Sequence, residues 1–353
     1  MKISKQQQHS IDELAKKWYE ILLSKYPEWK WLIGYGVDHL KFILNEFYVE
    51  KLDDNQFKTA ILSEDQYHQR LSEFIVADRL KREGFTLSSK DYGPDFKAIK
   101  NGQTIWFEVI TPKEINQVLW EEQCLNHDSL NRASLLKVTG AIKEKAEKTY
   151  GYIYGSKSKK TGKDIPSVIS ETDPVIIVVN DSLLHPADEL MVGLTKEFAK
   201  GDSLYPLVIE ALFGLDRPFW KKSYGRTESG YELEWTLKNA IQKENGNPVS
   251  TQVFFSDEYK HISGILLLTM REEYGLARAI YGNLHNRGLL VLNPNCQNKI
   301  DVSLNIETLR EKQLHNLLGP ERKPINFFST ITTYGHYEMV NKVVQKMYEL
   351  TQE

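Results

Sequence analysis

The sequence of 353 residues predicts an α/β fold, a mixed central sheet with flanking helices, carrying a helical N-terminal subdomain. Three observations predict it. Apolar residues recur at helical spacing through the first sixty positions, the pattern switches to two alternating strands around a tight turn between 92 and 110, and short apolar runs continue as far as 292. The chain is therefore divided into 1–60, the helical subdomain, and 61–353, an α/β domain ending in helices.

Each element has its own signal. Ser10-Ile11-Asp12-Glu13 resembles a capping box, followed by Leu14, Trp18, Ile21 and Leu22 on one face, and Pro27 interrupts the helix. A second amphipathic helix covers 37–49. Ser63-Glu64-Asp65-Gln66 starts another that runs to about Arg82, where Gly84 supplies a stop. A short strand over 85–88 precedes strands over 92–99 and 104–110, joined by the turn Lys100-Asn101-Gly102, and Pro112 ends the second. A helix over 130–150 follows, with Gly151 in the C-cap position, then a Lys/Ser/Gly-rich loop over 155–166. Strands are expected at 175–180, 207–213, 252–255, 262–269 and 288–292, all extending one sheet, with helices at 306–318 and 336–350.

Composition excludes several function classes. The apolar runs at 175–179 and 262–268 are far shorter than the roughly 20 residues a membrane span needs. Met1-Lys2-Ile3-Ser4-Lys5-Gln6 has no apolar region of a secretory signal, and the two cysteines, Cys124 and Cys296, form no metal-type spacing. A cytoplasmic protein away from membranes is expected. A formal net charge of −3 argues against coating nucleic acid by bulk electrostatics, although a local basic surface suffices for an enzyme. The nine histidines show no HExxH pairing, so zinc is not expected. Gly34-Tyr35-Gly36 lacks the strand–helix context of a nucleotide loop. The aromatic and basic run at 219–226 reads as a surface loop before it reads as a base-stacking platform.

The chemistry points to Asp95 and Glu108. Each lies on one strand of the expected hairpin, close to the other across the ladder. Two such carboxylates offer hard oxygen ligands to Mg2+, which takes few protein carboxylates and completes its shell with water and phosphate. Glu108 stands among Trp106, Phe107, Val109 and Ile110, where a lone acid is costly without a partner.

A helix with an internal Glu, a strand, Gly93-Pro94-Asp95-Phe96 and then Trp106-Phe107-Glu108-Val109-Ile110-Thr111-Pro112 resembles the PD-(D/E)XK nuclease superfamily over about ninety residues, and resembles bacterial members with a Glu-x-x-x-Pro variant. The resemblance implies a restriction-endonuclease-like core, with Asp95 and Glu108 on a Mg2+ or Mn2+ ion and Glu73, from Arg70-Leu71-Ser72-Glu73-Phe74, assisting as a third ligand. Gln69, one turn before Glu73, is a candidate supporting hydrogen-bond group. The family's lysine, two residues after the second acid, is replaced here by Ile110.

The next helix offers a substitute. At about 100° per residue, Leu135, Val138, Ala141, Ile142 and Ala146 share an apolar face, and Lys145 falls within it. Lys145 is the first candidate for a migrated catalytic lysine and Lys137 the second. Lys148 lies farther toward the polar side, and Lys97 and Lys113 are weaker. The expected activity is metal-dependent hydrolysis of phosphodiester bonds in nucleic acid, DNA ahead of RNA. The alternative is a catalytically inactive relative serving as a binding or regulatory module. A homodimer and a partner protein, as for a toxin or defence component, are both open.

Overall fold

The computed structural model describes residues 3–89, 92–114, 127–157, 164–184, 208–214, 219–224, 229–234, 239–243, 245–276 and 288–302. The expected helices at 306–318 and 336–350 lie outside them.

Helix α1 (Lys5–Lys25) starts earlier than its sequence signal suggests. Ser4 and Gln7 form the capping box, while Ser10 is buried inside the helix, bonded to the Gln7 carbonyl and the Tyr48 hydroxyl. The polar residue at 10 mimics a cap because nothing in the sequence announces its tertiary partner. A single 3-10 turn over Pro27–Trp29 leads into α2 (Lys30–Val49), and α3 (Phe57–Ala60) precedes α4 (Glu64–Arg82). Gly84 follows α4 at a φ of 86°, the left-handed conformation that ends a helix at little cost to glycine.

Strand β1 (Thr86–Ser88) pairs antiparallel with β2 (Phe96–Lys100), which pairs antiparallel with β3 (Gln103–Ile110). Asn101 and Gly102 both take positive φ, 52° and 81°, as a tight two-residue hairpin requires. Helix α5 (His127–Tyr154) continues through Gly151, and Gly155 takes the positive φ expected at 151. The loop after it contains a small hairpin, β4 (Ser156–Lys157) with β5 (Asp164–Ile165).

Strand β6 (Val175–Asn180) lies parallel to β3, and further along the chain β11 and β12 complete a six-stranded sheet in the order β1-β2-β3-β6-β11-β12. Between them come α6 (Val208–Phe213), the hairpin of β7 (Phe219–Tyr224) and β8 (Ser229–Glu234), and the hairpin of β9 (Ala240–Gln242) and β10 (Pro248–Ser250). Strand β11 (Gly264–Leu268) is parallel to β6 and antiparallel to β12 (Gly288–Leu292). Two expected strands are corrected. Residues 208–213 are helical and 253–255 form a 3-10 turn, because a short apolar run looks alike in either state. Among the strands expected after Gly155, β6, β11 and β12 extend the sheet.

The sheet is covered on both faces. Phe96, Ala98, Ile105, Phe107 and Val109 bury against α1, α2 and α4 in one cluster, so the N-terminal helices share their core with the sheet. Trp106, Val175, Ile177 and Val179 bury on the other side against α5 and α6. Among the described residues no helix is long and apolar enough to cross a membrane.

Candidate metal and phosphate site

Glu108 sits in the middle of β3 and is completely buried. Its register partner on β6 is Ile177, part of the apolar layer under α5. The last β2–β3 pair is Phe96 with Phe107, so Asp95 and Glu108 are the next residues on either side of it, and the Glu108 charge acts on the Asp95 carboxyl. Asp95 itself precedes β2 rather than lying within it. The bend that places it uses Gly93, whose φ of 136° suits glycine and whose absent Cβ would press on Val168 at 3.3 Å.

Asp95 does the work of a missing strand residue: its Oδ2 accepts from the Val109 amide at 2.6 Å. Gln69, from α4, continues along that edge. Its Nε2 donates to the Val109 carbonyl at 3.0 Å and its Oε1 accepts from the Thr111 amide at 2.8 Å. The same Nε2 reaches Glu73 Oε1 at 3.0 Å. Two further bonds lock the end of β3 to its surroundings, Ser72 Oγ with Thr111 Oγ1 at 2.7 Å and Asn180 Nδ2 to Ser72 Oγ at 2.6 Å.

From the other side α5 brings two lysines to one oxygen. Lys145 Nζ lies 2.6 Å and Lys148 Nζ 2.8 Å from Glu108 Oε1. They differ in exposure: the Lys145 side chain is 11% accessible and that of Lys148 is 45%. Burial alone would depress Lys148, but the Glu108 carboxylate outweighs it and holds the ammonium above its ordinary value. Glu108 Oε2 is buried and has no hydrogen-bond partner among the described residues. The Asp95 carboxyl is pushed well above its usual range, first by burial and then by the charges of Glu108 and Glu73, against the opposing pull of Lys145 and the Val109 amide.

Glu73 is also buried, and both of its oxygens have donors: Gln69 on Oε1 and Arg70 on Oε2 at 2.8 Å. Burial raises its carboxyl although Arg70 and Gln69 oppose the shift. Arg70 in turn is shared with Asp54 at 2.9 Å. Among the described residues no three His, Cys, Asp or Glu side chains group as a ready-made metal centre. Asp95 and Glu108 nevertheless fit a divalent ion. They are two interacting carboxyls, one of which keeps a buried oxygen with no donor among the described residues, and Mg2+ needs only one or two carboxylates when water and phosphate complete its shell.

These groups border a cleft of about 870 Å3, lined by Gln69, Glu73, Asp95, Ile110, Lys137 and Lys145 among others. Lys145 is thus brought to Glu108, whereas Lys137 lies on the cleft with no contact to either acid described. Lys148 was underestimated from sequence. On a helical wheel it falls toward the polar side, yet it stands three residues after Lys145 and its long stem reaches the same carboxylate. The Arg70–Glu73 pair was also missed, although the i, i+3 spacing signals it.

No protein-family model, no curated protein and no solved structure matches this chain.

Proposed function

We propose that the protein is a Mg2+- or Mn2+-dependent nuclease of the PD-(D/E)XK kind, hydrolysing phosphodiester bonds in nucleic acid and in DNA first of all. The observation that carries this reading is Glu108, fully buried and acting on the Asp95 carboxyl, with one oxygen held by two lysines and the other without a donor among the described residues. The two lysines compensate the buried charge, but a carboxylate oxygen left without a donor still costs free energy, which a bound cation would offset.

Asp95 and Glu108 would hold the ion, with Glu73 supporting Asp95 from behind through Gln69 and the end of β3. A divalent ion there supplies Lewis acidity and offsets negative charge on the phosphodiester. Lys145, held against Glu108 and largely shielded from water, fixes the carboxylate's direction. Lys148 keeps its ammonium at the mouth of the cleft, placed to donate to a phosphate oxygen as charge develops on it. Together they stand in for the cation that Ile110 cannot provide.

A second reading, an inactive relative acting as a binding module, draws on one observation. Lys145 touches Glu108 directly, with no room for a water between them. Two measurements separate the readings. The nuclease reading expects Mn2+ binding by calorimetry and Mn2+-dependent cleavage of plasmid DNA, lost in both Asp95→Asn and Glu108→Gln while circular dichroism stays that of the wild type. Absence of Mn2+ binding at millimolar metal favours the silent module, and cleavage that persists in both variants removes this site from the chemistry.

A further inference from the structure

One face of α5 forms a wall of the cleft for several turns. Lys137, Gly140, Ala141, Glu144 and Lys148 all open onto the same space, at spacings that keep them on one helical stripe. From Lys137 to Lys148 the stripe rises roughly 16 Å at about 1.5 Å per residue. That is about five nucleotide steps of a stacked strand at roughly 3.4 Å each. A single phosphate ester would leave most of this length unused.

The middle of the stripe is bare. Gly140 is exposed, and a Cβ built there meets no atom of the described residues within 4 Å beyond the backbone of its own helix. Ala141 adds only a methyl group. A mid-helix glycine costs helix stability, and no contact with the described residues requires one here. It does let a bulky chain lie close to the helix. Lysines flank this gap at both ends, and Lys113, just past β3, borders the same space. Glu144 is the acid on the stripe, and it is exposed.

We propose that this face of α5 is a track for the sugar–phosphate backbone of nucleic acid, with Lys137 and Lys148 on phosphates several nucleotides apart and Gly140 and Ala141 as the floor between them. Lys137 is then a phosphate-binding residue remote from the acid pair, which accounts for its place on the cleft away from Glu108. The inference rests on the nuclease reading for the identity of the polymer.

The test is binding of fluorescein-labelled single-stranded and duplex DNA to the full chain, followed by anisotropy in EDTA over a series of salt concentrations. Lys137→Gln is expected to weaken binding and to reduce the slope of log K against log salt by about 0.7 on single strands or about 0.9 on duplex. The probe showing that loss identifies which form lies on the track. Gly140→Gln is expected to raise the melting temperature, since glutamine is the better helix former, while weakening DNA binding. A merely structural role for Gly140 cannot move the two in opposite directions. Glu144→Gln is expected to tighten binding by removing the repulsive charge.

An unchanged salt slope for Lys137→Gln on both probes overturns the track, as does a Gly140→Gln variant that binds DNA like the wild type. Polyglutamate binding that depends on Lys137 while DNA binding does not would reassign the stripe to an acidic protein. Its failure and that of the nuclease reading are separable. Cleavage by the wild type with no slope change in Lys137→Gln defeats only the track, whereas a slope change without any Mn2+-dependent cleavage keeps the track and defeats the chemistry.

Discussion

Two glutamates among the described residues have no exposed surface at all, Glu272 and Glu108, and the two sides of the central sheet treat them differently. On the side of α1, α2 and α4, Glu272 is completely buried, yet its Oε1 accepts from the Tyr67 hydroxyl at 2.9 Å and its Oε2 pairs with Arg271 at 3.3 Å. Tyr67 accepts from Trp18 Nε1 at 2.9 Å in turn. Burial pushes the Glu272 carboxyl up, but Arg271, its own backbone amide and Tyr67 outweigh this and hold it below its ordinary value. On the side of α5, Glu108 is equally buried, but its donors among the described residues converge on one oxygen. A network whose bonding capacity is filled rigidifies a core. One left with an unfilled oxygen beside a second carboxylate is suited to receive something from outside.

Neighbours on β3 break or sharpen this contrast most directly. Glu108→Gln keeps the shape of the side chain and removes its charge. It is expected to cost about a hundredfold or more in metal-dependent cleavage, measured on plasmid DNA, in a protein that still folds. Phe107, one residue earlier, points into the other core and is fully buried there. Phe107→Ala is expected to destabilise the fold by about 3–5 kcal/mol, read from urea denaturation. If Phe107→Ala abolished cleavage without loss of stability, the division between the two faces would fail.

Smaller effects test the filled network. Tyr67→Phe leaves the Trp18 indole and Glu272 Oε1 each without that partner, at an expected cost of about 1–3 kcal/mol in chemical denaturation and with metal binding unaffected. For Asp95 the raised carboxyl means that the fold favours its protonated form. The stabilisation is fully present below the ordinary carboxyl value of 3.8 and is lost as pH rises through the raised one. In EDTA, Asp95→Asn is therefore expected to melt above the wild type by a margin that grows with pH. Added Mn2+ should raise only the wild type, by about 2.7 kcal/mol at a hundred times its Kd. A margin independent of pH would show that Asp95 does not titrate against its neighbours.

Legibility in the sequence followed the range of the interactions. The β2–β3 hairpin was readable because alternation and Asn101-Gly102 are local signals, whereas Asp95 falls just before β2 and reaches the end of β3 through the Val109 amide. Helix α4 and its stop at Gly84 were readable for the same reason. The run 207–213 reads as a strand although 208–213 are helical, because so short an apolar stretch carries too little period to decide. Ser10 looked like a cap because its true partner, Tyr48, is thirty-eight positions away. Lys145 was found by its place within an apolar helical face, but Lys148 required knowing how far a lysine stem bends around the helix toward Glu108. Gln69 was legible as a hydrogen-bonding group on the Glu73 face, but its bonds to the β3 backbone were not, since a side-chain amide acting as backbone leaves no periodic mark.

That substitution has a consequence for Val109. Both its amide and its carbonyl are bound by side chains, Asp95 on one and Gln69 on the other, where a neighbouring strand would normally serve. Any cation drawn to Asp95 competes for the lone pairs that hold this proton, so the nuclear magnetic resonance of a single backbone N–H becomes an internal gauge of occupancy, readable without a probe attached anywhere near the cleft.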